Sequence, residues 1–261
     1  MLLRSAVVCG PGHLRDENQD NFYLNGIYRR SPCAKEISRA DECSIDSALY
    51  AVADGMGGEK HGDLASLQAV QSMSEITQTA NSQNLIQYLV EKNNELCNLM
   101  NNYSGVRIGS TFVGLHIHDS LATLINIGDS RAYLFRDGLL SQLSRDHTVV
   151  QQMVDMQIIS PEESRFHHHK HKLTQHLGIF PEEMIIEPFV VEVDIHATDL
   201  FLLCSDGLTD MLDNTAIQRI LSKHGSPEKL AEELFQKAMK SGGKDNITVL
   251  LVSIEEEGRE E

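Results

Sequence analysis

The apolar positions of this chain fall into two kinds of run, and their order along the sequence predicts a mixed fold. Short stretches rich in Val, Ile and Leu and bounded by Gly or Asp read as buried strands. They cover Ser5–Cys9, Phe22–Tyr28, Ala48–Ala53, Val190–Ile195, Leu200–Cys204 and Ile247–Ile254. From Thr111 to Leu143 short strands follow one another closely, separated by Gly, Asp and Asn, which predicts an all-β meander. Longer stretches carry apolar residues at helical spacing: Gly62 to Gln78, Asn84 to Tyr103, His147 to Gln157, Asn214–Lys223 and Pro227–Lys240. Leu85, Leu89, Leu96 and Leu99 mark the second of these. Residues Arg29 to Asp46 are polar and contain Pro32, so a surface loop is expected there, and a less regular polar segment runs on to Gly178. Strands interleaved with paired helices fit sheets faced by helices. No internal repeat or low-complexity linker interrupts the pattern. A length of 261 residues suits one large domain, expected over residues 1–256 with a short acidic tail at 257–261.

Several of the predicted strands end at an aspartate. The segments are Ala51-Val52-Ala53-Asp54-Gly55-Met56-Gly57-Gly58, Asn126-Ile127-Gly128-Asp129-Ser130, Leu203-Cys204-Ser205-Asp206-Gly207 and Asp245-Asn246-Ile247-Thr248-Val249. A fifth, Arg15-Asp16-Glu17-Asn18-Gln19-Asp20, lies in an early polar stretch. Any one Asp-Gly is an ordinary turn signal. Taken together, packed sheets would gather these carboxylates where the strands stop. Two carboxylates about 4 Å apart repel by roughly 4 kcal/mol at an effective dielectric near 20. A few such pairs would consume most of a stability margin of about 5–15 kcal/mol. Divalent cations remove that penalty, so the pattern suggests a multi-metal site of oxygen ligands, which favours magnesium or manganese over zinc. Glycine after the aspartate lets the backbone turn and can offer its carbonyl as a further ligand.

Charge and cysteine content narrow the setting. Lys and Arg total 22 against 38 acidic residues, a formal net charge of −16. That balance argues against nucleic acid as a partner. No apolar run approaches the roughly 20 residues of a membrane span, and no signal peptide is evident, so neither membrane nor export is expected. Cys9, Cys33, Cys43, Cys97 and Cys204 form no close pair, which suits reduced thiols in a cytoplasmic protein.

The ordered set of segments resembles the PPM-type metal-dependent protein phosphatases (protein phosphatase 2C), in the bacterial form. The resemblance runs from about Val7 to Ile254. Besides the five aspartate segments it takes in Gly109-Ser110-Thr111, Arg145-Asp146-His147-Thr148 and Ser205 to Asp210. It implies an α+β fold, a four-layer α-β-β-α sandwich with a central antiparallel β-sandwich, metals at one end and a flap over about 147–178. The implied activity is hydrolysis of phosphoserine and phosphothreonine in phosphorylated proteins, by in-line attack of a water or hydroxide shared by two Mn2+ or Mg2+ ions. A Ser/Thr kinase and its substrates are the implied partners in signalling.

Residue by residue, Asp54 matches the carboxylate that bridges the two core ions and Gly55 the carbonyl that binds one of them. Asp206 and Asp245 match the ligands of the other, and Asp20 a carboxylate that often acts through water. Asp129 matches a residue that joins Asp206 in holding a third, weaker ion. Arg15 matches the phosphate-binding arginine, whose planar fork can bond two phosphate oxygens. Met56 departs from relatives with a histidine there and cannot protonate a leaving group. The implied flap carries His167, His168, His169, His171 and His176. They read as a solvated patch or as a surface that holds an anionic phosphoprotein at mildly acidic pH. Two alternatives share the motifs: a phosphatase dedicated to one regulatory phosphoprotein, and a catalytically weak binding module. Retention of Asp54, Asp206 and Asp245 together counts against the second.

Overall fold

Two antiparallel sheets pack face to face, and their strands account for the apolar runs. The computed structural model describes residues 1–31, 36–44, 47–56, 61–76, 81–102 and 106–256. Pro32, Cys33, Gly57, Gly58, Tyr103 and the tail at 257–261 therefore lie outside the described residues. The chain runs β1 (Leu2–Gly10), β2 (Asp20–Leu24), β3 (Ile27–Tyr28), β4 (Ile37–Ser44), β5 (Ser47–Met56), α1 (Gly62–Val70) and α2 (Ser82–Asn102). The meander follows as β6 (Gly109–Ser110), β7 (Phe112–His118), β8 (Leu121–Ile127), β9 (Arg131–Arg136) and β10 (Leu139–Gln142). Then come α3 (Val149–Asp155), α4 (Pro161–Ser164), β11 (Phe189–Asp194), β12 (Leu200–Cys204), α5 (Asp206–Thr209), α6 (Asn214–Leu221), α7 (Pro227–Lys240) and β13 (Ile247–Glu255).

One sheet has the order β10-β9-β12-β13-β1-β4 and the other β11-β8-β7-β5-β2-β3, with β6 paired to β5. Side-chain alternation sorts each central strand into two buried faces. In β5, Ala48, Tyr50 and Val52 turn to the space between the sheets, while Leu49, Ala51 and Ala53 meet Ala65, Ala69, Leu85 and Leu89 of α1 and α2. In β12, Phe201 and Leu203 face inward, while Leu200, Leu202 and Cys204 pack under Leu208, Ile217, Leu230 and Phe235 of the α5–α7 group. The layers are thus helix, sheet, sheet, helix, as the resemblance implied.

Two elements depart from the sequence reading. The polar stretch before β5 holds β4, an edge strand paired along β1. Arg4 sits opposite Glu42 and donates to it at 2.8 Å, so polar residues are tolerated where one edge faces water. The short helix α5 begins at Asp206 itself.

The topology sets the aspartates at one end. β2 and β5 run antiparallel with Asp20 opposite Asp54. β12 ends and β13 begins side by side, with Cys204 opposite Val249, so Asp206 and Asp245 emerge at neighbouring positions.

Candidate metal centre

Asp20 lies in the deepest part of the site. It is fully buried, and one of its oxygens, Oδ2, accepts from the Ser205 hydroxyl at 2.7 Å and the Thr248 hydroxyl at 2.7 Å. The other oxygen, Oδ1, has no hydrogen-bond partner. A buried carboxylate oxygen without a donor costs free energy unless something positive meets it. Burial pushes the Asp20 carboxyl up to about 7, against the pull of those two hydroxyls, and Asp206 and Asp245 add to the rise.

Asp54 is held by the strand that crosses it. Its N–H donates to the Thr111 hydroxyl at 3.0 Å, and its carbonyl accepts from the Thr111 N–H at 2.9 Å and the Ser110 hydroxyl at 3.1 Å. The Thr111 hydroxyl also meets the Ser130 hydroxyl at 2.7 Å, which ties the Asp129 turn to the same point. Burial raises the Asp54 carboxyl well above its ordinary value, with Asp20 the next cause, then Asp206, Asp129 and Asp245. Asp129 is raised in the same way, by burial first and then by Asp206 and Asp146. These carboxylates crowd one another.

The glycines serve close approach rather than turning. A Cβ on Gly55 would stand 1.9 Å from the Gly62 carbonyl oxygen, and one on Gly207 would stand 1.9 Å from the Asn246 carbonyl oxygen. Neither residue has a positive φ. Asp54-Gly55 lies within a strand and Asp206-Gly207 within a helical turn, so the turn reading of both pairs falls away.

Two asparagines that carry no candidate chemistry brace the early loop against the last strand. The Asn246 side chain accepts from the Gln19 N–H at 2.8 Å and donates to the carbonyls of Glu17 at 2.9 Å and Pro11 at 3.1 Å. Asn18 accepts from the Asp20 N–H at 3.0 Å. Arg29, buried, donates to the carbonyls of Asn18 at 2.8 Å and of Asp20. Asn18 and Asn246 stood in the quoted motifs without a role. The sequence offered no sign of Arg29.

Arg15 reaches across to Asp245, with Nε–Oδ1 at 2.9 Å and Nη2–Oδ2 at 2.7 Å. A cleft of about 980 Å³ opens over these groups, lined by Arg15, Asp54, Gly55, Met56, Asp129, Asp206 and Asp245 among others. Beside it a second cleft of about 690 Å³ runs toward the flap, with Arg131, Arg165, Lys170 and Lys244 in its walls. Arg131 forms a two-point pair with Asp146 at 2.9 and 2.6 Å.

The histidines of the flap divide. His167 stacks on His168, and His169 lies tilted against both. His171 instead stands between Asp206 and Asp210, with Nδ1 at 3.2 Å from one and Nε2 at 3.3 Å from the other. The hydrogen bond to Asp206 raises its basicity.

All the aspartates named in the sequence thus meet at one end of the sandwich, and the donor set is oxygen apart from His171. The orphaned Asp20 oxygen and the mutually raised carboxyls fit hard divalent cations.

The protein phosphatase 2C family matches residues 27–248. The chain belongs to that family. It is 33% identical over 250 residues to the serine/threonine phosphatase stp of Listeria welshimeri, covering 92% of each chain. It is 31% identical to the protein phosphatase PhpP of Streptococcus pneumoniae, covering 95% of this chain and 96% of the other. Among solved structures it resembles the serine/threonine phosphatase PstP/Ppp of Mycobacterium tuberculosis, with TM-score 0.81, 28% identity and coverage of 98% and 100%. The catalytic domain of PstP in complex with two manganese ions superposes with TM-score 0.79 at 26% identity, covering 98% and 100%.

Proposed function

We propose that this chain is a metal-dependent serine/threonine protein phosphatase. Asp54, Asp206, Asp245, Asp20 and the Gly55 carbonyl would hold two Mn2+ or Mg2+ ions, and Asp129 with Asp206 would hold a third, weaker one. The observation that carries this reading is the meeting of carboxylates from five separate segments, with one buried oxygen left unpaired and an arginine fork at the rim. Such a cluster is repulsive alone and favourable around cations. When bound, divalent cations activate water and offset the charge of the phosphoryl group.

The residues of the chain do the rest. Arg15 presents a planar fork suited to two phosphoryl oxygens, which orients phosphorus over the carboxylate cluster. Ser205 and Thr248 occupy one oxygen of Asp20 and leave the other, without a hydrogen-bond partner, available to a cation. Asn18, Asn246 and Thr111 fix the backbone of Asp20, Gln19 and Asp54, which preorganises the ligands. Met56 lines the cleft and has no proton to give, so water or another side chain of the cleft must supply the proton to a leaving serine or threonine oxygen. The basic side chains toward the flap suit an acidic phosphoprotein.

The flap over 147–178 and the rest of residues 1–256 work as one unit in this reading. We place the protein in the cytoplasm, opposing a Ser/Thr kinase in signalling. Its described cysteines, Cys9, Cys43, Cys97 and Cys204, are free thiols, and no helix among the described residues is long and apolar enough to cross a membrane. Phosphate release from phosphothreonine and phosphoserine peptides should require Mn2+ or Mg2+ and stop with EDTA. Full turnover after rigorous metal removal would overturn the reading.

A further inference from the structure

One of the five flap histidines reaches the carboxylates: His171 pairs with Asp206 and Asp210 and stands near Asp129, which with Asp206 is assigned above to the third, weaker ion. Ligand atoms of Asp129, His171 and Asp206 all lie within 4.8 Å of one another. Donors that share a first-row divalent ion at about 2.0–2.3 Å can be no more than about 4.6 Å apart across it, and less when adjacent. The three side chains therefore need only a small inward movement to close on one ion. The Asp129 carboxylate, half-buried, lines both clefts beside Asp206 and His171.

The backbone around His171 keeps the imidazole there. Leu173 bridges to Thr148, the Val149 N–H donates to the Lys172 carbonyl at 2.9 Å, and the Thr174 N–H donates to the His147 carbonyl at 2.8 Å. On the other side Lys170 pairs with Asp210 at 2.8 Å, and Arg165 donates to the Thr209 carbonyl at 3.2 Å. The flap therefore docks on the short helix α5, which opens with Asp206, and His171 is the residue of that contact with a metal-ligating atom.

We propose that His171 is a ligand of the third cation, so that this site has mixed nitrogen and oxygen donors and its ion pins the flap to α5. The inference rests on the third-ion assignment above. Imidazole is a better donor to manganese, cobalt or zinc than to magnesium. The third site should therefore choose among metals differently from the two core sites, whose donors are oxygen. Magnesium could serve the core and still leave the flap unpinned.

The test compares wild type, His171→Gln and Asp129→Ala, with Mn2+ as the probe. Calorimetric titration of the metal-free wild type should show a weak Mn2+ site beyond the tight ones. Asp129→Ala should lose it, and His171→Gln should weaken it at least about ten-fold. Electron spin echo spectra of the Mn2+-loaded wild type should carry a nitrogen coupling that His171→Gln removes. Trypsin cleavage after Arg165, Lys170 and Lys172 should slow with Mn2+ more than with Mg2+ in the wild type, and equally with both in His171→Gln. A weak site lost in Asp129→Ala but kept, with the nitrogen coupling unchanged, in His171→Gln would overturn the His171 assignment and leave the third ion standing. A weak site unaffected by either change would overturn both.

Discussion

Arg15 and Asp245 face each other in a two-point ion pair, so the proposed phosphate fork is engaged by a proposed metal ligand. An ionised carboxylate offers about four lone-pair sites, so Asp245 can meet a cation while giving up part of that pairing. Cation binding and Arg15 release are then linked. The pair lies at the rim, with both side chains about half exposed, where such contacts are individually weak.

Arg15→Ala should therefore leave Mn2+ affinity unchanged or slightly tighter, since it frees Asp245. Turnover of phosphopeptides should still fall, because the proposed phosphate fork has gone. A loss of about 2–3 kcal/mol in transition-state binding, roughly 30- to 150-fold in kcat/KM, is expected for a charged hydrogen-bonding group. Calorimetry showing lost Mn2+ binding in this variant would make Arg15 a structural support for Asp245.

Asp54→Asn and Asp206→Ala should remove turnover by roughly three orders of magnitude or more, the rate equivalent of several kcal/mol of metal-derived stabilisation. The fold should survive, because each change removes a charge from a crowded cluster. Circular dichroism and thermal melts without metal should show variants at least as stable as wild type. Near-normal turnover in either variant would show that the carboxylate was misassigned.

The metal-free protein should be more stable in mild acid than at alkaline pH. Asp20 is raised to about 7 by burial, against about 3.9 when unfolded. A group raised in the fold stabilises it fully below the unfolded value, and that contribution is lost as pH rises through the folded one. Asp54 and Asp129 are raised for similar reasons and act with the same sign. With EDTA present, Tm should fall between pH 4.5 and pH 8, and saturating Mn2+ should restore it at the upper end. Asp20→Asn should flatten part of the slope. A chelated wild type that gains stability over this range would contradict the account.

Gly55→Ala should destabilise the fold by about 3 kcal/mol, because the added methyl meets fixed backbone at 1.9 Å. Gly225→Ala is the control, since its nearest neighbours stand at 3.7 Å and are side-chain atoms of Leu230. That change should fall within about 0.5 kcal/mol of wild type in urea unfolding. Equal effects of the two would show that the close approach at Gly55 relaxes freely.

Strand positions were legible in the sequence because Leu200–Cys204 and its like are apolar throughout. The same property hid the layers: both faces of β12 are buried, so no alternation marked which face met helices. β4 escaped notice because an edge strand can carry Arg39, Asp41 and Glu42 at little cost. The aspartates were legible as a set, through the ordered motifs and the resemblance they carry. Their supports were less so, since Arg29 is one arginine among many until its contact with the Asp20 carbonyl is seen. Nothing in the local sequence separates His171 from His167, His168 or His169. The Thr148–Leu173 bridge makes the difference, and it joins residues 25 positions apart along the chain.

Asp20 and Asp54 belong to one sheet and Asp206 and Asp245 to the ends of strands in the other. An ion held among them, as proposed, would be a rivet through the open end of the sandwich. Prising the sheets apart from that end would then require giving up the metal first. Amide protons near Asn21, Ala53, Cys204 and Thr248 should accordingly exchange in step with one another, at a rate set by how often the ion leaves.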